Sequence, residues 1–235
     1  MRNKNEIYKN PPLVETIFEI RFPRELTIEC NRDKFYEKIR NVYPKILVPR
    51  LSTGGATALE PYRFERNDGS YGIFLAINKV AVYCKKYESF KSFKTEVMRV
   101  FSIFGELFKV EKLNRTGLRY INIIPFTREG GIIPVQNYLN VKMSLPKLLP
   151  TSFKNLSLIF VSGTRSGNIM TRIEPALSQD QTREALILDF DYAKEKNLHF
   201  GSINKYLDES HRHTKYLFEE LITDDYKKIM RGEVV

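Results

Sequence analysis

NRTGLRYINIIPF, Asn114 to Phe126, can be set beneath NPPLVETIFEIRF, Asn10 to Phe22, with Asn, Ile, Ile and Phe shared at 10/114, 17/121, 20/124 and 22/126. Both read as strands. In the earlier stretch Val14, Thr16, Phe18, Ile20 and Phe22 alternate with Glu15, Glu19 and Arg21, the period of a half-buried strand. Pro23 closes it. Each stretch opens a half of the chain in which the same order of elements follows, and that repetition decides the fold.

Outward from the first stretch, Asn31 is placed to cap a helix with Phe35, Ile39, Val42 and Tyr43 on one side, stopped by Pro44. Pro49 to Glu60, with Gly54-Gly55, reads as a loop. Tyr62–Arg66, Tyr71–Ile77 and Val80–Lys86 form a meander, with Asn67-Asp68-Gly69 as a hairpin turn. Ser89 or Ser92 then caps a helix whose stripe is Phe93, Val97, Val100, Phe101, Phe104, Leu107 and Phe108. The second half repeats this. Glu111–Phe126 is a strand, Pro134 opens a short helix to Leu139, and Pro146 and Pro150 bracket a loop. Strands follow at Leu156–Thr164, Asn168–Leu177 and Glu184–Tyr192. Ser202 caps a last helix with Leu207, His211, Thr214, Phe218, Leu221 and Ile222 on one face.

The expected fold is therefore α+β, an antiparallel sheet backed by helices. It consists of two related strand-helix-three strands-helix halves, 1–110 and 111–235, packed as one compact body because no Gly/Ser-rich linker divides them. The opening strands should lie together near a pseudo-two-fold axis. At the level of fold, the layout resembles helix-backed saddle and helix-grip architectures, which fixes no function.

Composition narrows the function classes. No apolar run reaches the roughly 18 to 20 residues that span a bilayer, and residues 1–10 lack a secretory h-region, so no membrane role and a cytoplasmic location are expected. Two cysteines, Cys30 and Cys84, stand in unrelated contexts, so neither a disulfide framework nor a thiolate metal site is expected. No cofactor motif is present. The net charge is +10, with 20 Lys/Arg against 13 Asp/Glu in residues 1–110. Such an excess attracts polyanions.

Lys85, Lys86, Lys91, Lys94 and Arg99 cluster where the meander meets the Phe-striped helix. Arg115, Arg119 and Asn122 follow on one strand, beside Asn114. Guanidinium forks suit phosphate or carboxylate, but the same arginines can pair across strands with Glu15 and Glu19. Those two carboxylates, roughly 13 Å apart along a strand, are too far apart to share a metal. His211 and His213 point to different sides of a helix and make no metal pair. His211, on an apolar face, reads as a buried, hydrogen-bonded histidine or as the single candidate general acid/base. Gly163–Gly167 reads as a hairpin turn, and Thr223-Asp224-Asp225 as an N-cap with an acidic first turn.

Three stretches resemble one family: Tyr8-Lys-Asn-Pro-Pro-Leu-Val-Glu15 with Ile17-Phe-Glu-Ile-Arg-Phe22; Asn114-Arg115 with Gly117-Leu118-Arg119-Tyr120-Ile121-Asn122; and Leu207-Asp208 with His211, Phe218-Glu219 and Ile222-Thr223-Asp224. The family is a sporadically distributed prokaryotic one of about this length, with no activity attached to it. The resemblance implies a shared fold and no reaction.

The leading expectation is a non-catalytic protein that binds a polyanion, RNA or DNA, through Lys85, Lys86, Lys91, Lys94, Arg99, Arg115, Arg119 and Asn122. One alternative is an enzyme acting on nucleic acid or a nucleotide through His211 with Arg115 and Arg119, which requires the three to converge within about 10 Å. The other is a protein-interaction module, marked by an apolar surface patch.

Overall fold

Thr16 and Tyr120, which the 10/114 alignment makes equivalent, sit directly opposite each other across two antiparallel strands, β1 (Leu13–Arg21) and β6 (Arg115–Phe126). Around that pair Ile17 faces Arg119 and Glu15 faces Ile121, so a local two-fold axis passes between Thr16 and Tyr120. The computed structural model describes residues 8–48, 61–143, 152–178, 182–196 and 198–233. The loops expected at Pro49–Glu60 and around Pro146 and Pro150 lie outside the described residues.

Outward from β1 run β5 (Lys79–Cys84), β4 (Tyr71–Ala76), β3 (Tyr62–Glu65) and the short β2 (Lys45–Leu47). Outward from β6 run β9 (Glu184–Lys194), β8 (Asn168–Leu177) and β7 (Leu158–Gly163). Among the described residues nine strands form one antiparallel sheet of order β2-β3-β4-β5-β1-β6-β9-β8-β7, and the α+β class follows directly. Apart from β2, the order reads alike from the centre in both directions. Gly69 takes the positive φ of 67° that closes the β3–β4 turn, and Thr164 Oγ1 accepts the amides of Ser166 and Gly167 in the β7–β8 turn.

Helices cover one face. The first half carries α1 (Thr27–Cys30), α2 (Arg32–Ile39) and α3 (Phe90–Phe108); the second carries α4 (Val135–Tyr138), α5 (Ile203–Leu221) and α6 (Asp224–Arg231). Phe18 of β1 and Phe22 just past its end feed the core beneath α3: Phe18 meets Phe101 at 5.7 Å between ring centroids and Phe22 meets Phe104 at 5.4 Å. Ser89 caps α3 by accepting the Ser92 amide, and Thr223 caps α6 by accepting that of Tyr226. α5 bridges two apolar clusters: Tyr206 and Leu207 join the first half's core, Phe218 and Leu221 the second half's. The Lys94 ammonium, 2.6 Å from Asp208, ties α3 to α5. Among the described residues no helix is long and apolar enough to cross a membrane.

Some local expectations are corrected. Val14 is exposed although alternation puts it on the buried face, because a register shift between Leu13 and Glu15 breaks the period there. Val42 is exposed too, lying past the end of α2. Asn31 and Ser202 occupy N-cap positions without a side-chain cap bond; Asn31 donates to the Thr27 carbonyl instead. The second central strand begins at Arg115 rather than Glu111.

Candidate ligand pocket

On β6 the even-numbered residues Leu118, Tyr120 and Asn122 turn toward the helices, and the odd-numbered Arg115, Gly117 and Arg119 turn to the uncovered face. This parity separates the sequence's candidates. Arg115 donates to both oxygens of Asp191, at 2.9 and 2.8 Å, and reaches Glu19 at 3.3 Å. Gly117 makes the room for it, since a Cβ there would come within 2.4 Å of the Arg115 guanidinium. Arg119 grips Asp189, itself 2% exposed, through two bonds of 2.9 and 2.7 Å. Pairing with carboxylates therefore occupies both forks. Of the two glutamates weighed as partners only Glu19 takes a bond; the main partners belong to β9.

The Lys/Arg cluster is dispersed in the same way. Lys94 pairs with Asp208 and Arg99 with Glu96, while Lys86 stands 3.8 Å from Asp68. Lys85 lies over the Tyr83 ring. Lys91 is exposed and makes no ion pair among the described residues. It lines a shallow cavity of about 400 Å³ with Arg66, Ser92 and Glu96.

His211 lies across the sheet from both arginines. Its ring stacks on Phe90, 3.7 Å between centroids and 7° between planes, and its Nδ1 is 2.7 Å from the Tyr120 hydroxyl. Burial, with a smaller contribution from Lys215, depresses its pKa to about 4, so the imidazole is neutral at neutral pH. Burial likewise raises Tyr120 well above the ordinary phenol range, and takes Tyr87, which adjoins it edge to face, up to about 12. Because His211, Arg115 and Arg119 occupy opposite faces of the sheet, they do not converge on one reacting group.

His211 and Tyr120 form part of the wall of a cavity of about 390 Å³ over the centre of the sheet. α5 supplies one wall: His211, Lys215, Phe218 and Glu219 recur at i, i+4, i+7 and i+8 and share a face. The segment entering β1 supplies another, through Tyr8, Pro11, Pro12 and Leu13. Tyr87 to Phe90, at the start of α3, closes the third side, and Phe190 and Asn122 form the floor with Tyr120. Tyr8 reaches across the mouth to donate to Glu219 at 2.8 Å. Lys227 donates to the Glu219 carbonyl at 2.6 Å and lies 3.9 Å from its carboxylate.

Nine of the fifteen lining residues fall in the three stretches quoted from the sequence: Tyr8, Pro11, Pro12 and Leu13 from the first, Tyr120 and Asn122 from the second, His211, Phe218 and Glu219 from the third. Lys215, Phe190 and the residues from Tyr87 to Phe90 were not singled out as pocket residues. For Lys215 a signal existed, its i+4 spacing from His211. Asn122, grouped in the sequence with Arg115 and Arg119, belongs to this pocket and to the other face. No protein-family model matches the chain, and no curated protein matches it.

Proposed function

We propose that this is a binding protein whose ligand, a small organic molecule of largely apolar surface, enters the helix-face pocket. The observation that carries the proposal is convergence. Segments near residues 8–13, 87–90, 120–122 and 211–219, brought together only by the tertiary fold, enclose one cavity walled mainly by aromatic rings and proline. Concave, mostly apolar cavities with a few convergent polar groups are the usual form of small-molecule sites. The neutral His211–Tyr120 pair supplies such polar groups. The resemblance to the sporadic prokaryotic family adds support, since its three marks contribute most of the lining.

N-phenyl-1-naphthylamine, a neutral fluorescent aromatic, tests the reading. Its emission should rise saturably at one site per chain. The rise should be lost in Lys215→Trp, which fills the cavity from α5, provided the variant's circular dichroism and melting match those of the parent. No saturable rise, or an equal rise in the filled variant, overturns the proposal.

A second reading keeps the polyanion. It is favoured by the net charge of +10 and by Lys91, exposed beside Arg66 and without an ion pair among the described residues. Fluorescence anisotropy with single- and double-stranded RNA and DNA at about 50 and 200 mM salt should then show binding that fades with salt and drops in Lys91→Glu. No binding to any of the four at low salt removes this reading.

A further inference from the structure

Asn122 is 3% exposed, and its amide nitrogen donates to the Leu188 carbonyl at 3.0 Å. That bond fixes the side chain's orientation, because only the NH₂ end can face a carbonyl. The Oδ1 end accepts no hydrogen bond among the described residues, yet it is not a sealed atom. Asn122 lines the cavity described above. A buried acceptor without a partner is satisfied when a donor arrives.

The rest of the lining does not share the protein's positive excess. Glu88 and Glu219 are the carboxylates, Lys215 is the lysine, Lys227 stands against Glu219, and the imidazole of His211 is uncharged at neutral pH, so the charges at the pocket balance on a protein of net charge +10. Glu219 is already engaged by Tyr8 and Lys227, which leaves Glu88, exposed, as the carboxylate of the lining open to a ligand. Tyr87, Phe90, Tyr120, Phe190 and Phe218 line the remainder, and aromatic rings attract cations that lie over them.

We propose, building on the pocket reading above, that the ligand is an organic amine with an aromatic body, its N–H donating to Asn122 Oδ1 and its positive charge favoured by the aromatic rings and by Glu88. Three probes of one shape isolate the head group: 2-(2-naphthyl)ethylamine, 2-ethylnaphthalene and 2-naphthylacetate, each competed against N-phenyl-1-naphthylamine. The amine should displace the reporter at a concentration at least ten-fold below that of the hydrocarbon, with the carboxylate weakest. Asn122→Leu, similar in volume but without the acceptor, should reduce the amine's advantage while the hydrocarbon still binds. The readout is a ratio within one variant, so a general loss of stability does not produce it. Carboxylate binding equal to or tighter than the amine's overturns the inference, as does an advantage unchanged in both Asn122→Leu and Glu88→Gln. If the reporter itself never binds, it is the pocket reading that fails, and this one with it.

Discussion

His211 couples the pocket to pH. Its imidazole is held neutral between the Phe90 ring and the Tyr120 hydroxyl, with a pKa depressed to about 4 from an ordinary 6.5, first by burial and then by Lys215. The groups facing it are Phe90 of α3, Tyr120 of β6, and Asp208 and Lys215 on its own helix. In the unfolded chain the ring takes a proton as pH falls below about 6.5; in the folded chain it does not until about 4. The unfolded state therefore binds more protons in that window, so the contribution is complete above pH 6.5 and lost as pH falls to 4. It amounts to about 3 kcal/mol. Denaturant titrations at pH 7.5 and 4 should show the wild type losing that much more stability than His211→Phe, which keeps a ring on Phe90 but has nothing to titrate. Parallel losses would mean that His211 is protonated in the fold.

Among the elements, α3 is where sequence and structure agree most closely. Phe93, Val97, Val100, Phe101, Phe104 and Phe108 are all buried, as their 3.6-residue period requires, and only Leu107 is left partly covered. Phe101 packs against Phe18 of β1, so Phe101→Ala should cost about 3 to 5 kcal/mol in a denaturant titration. A loss below about 1 kcal/mol would make α3 peripheral. Such elements were legible because their period is local. The three residues of β2 were not, since a strand that short, here exposed throughout, shows no alternation. The site was legible only in parts. Spacing put His211 on an apolar face, yet nothing near it in the sequence names Phe90 as its stacking partner. The carboxylates that hold Arg115 and Arg119 were missed for the same reason. Asp189 and Asp191 come from β9, and the register that sets Ile121 against Asp189 and Arg119 against Asp191 is a property of the assembled sheet. Asn122 was grouped with the arginines by proximity in the chain, while strand parity sends it to the other face.

On the scale of the molecule, the two halves meet through a ladder of backbone bonds and through side chains that cross between them, Phe90 on His211 and Lys94 on Asp208 among them. β1 and β6 pair along most of β1, with an apolar cluster on each side and α5 reaching into both. The halves should therefore open together. Hydrogen exchange should find the slowest amides in β1, β6 and the adjoining part of β9, and the fastest sheet amides at the edges, β2 and β7. Protection that falls to edge values along β1 and β6 would show two separately opening units. The same central pairing sets an order of events during synthesis. β1 leaves the ribosome before both of its neighbours; its β5 partners, Lys79 to Cys84, come some sixty residues later and its β6 partners, Arg115 to Asn122, about a hundred. A nascent chain that has finished its first half still presents one side of β1 unpaired, in the middle of what will become the sheet, and contacts spanning that much chain are slow to form. Of this sheet's strands, β1 is thus made before the others and is among the last to be fully bonded.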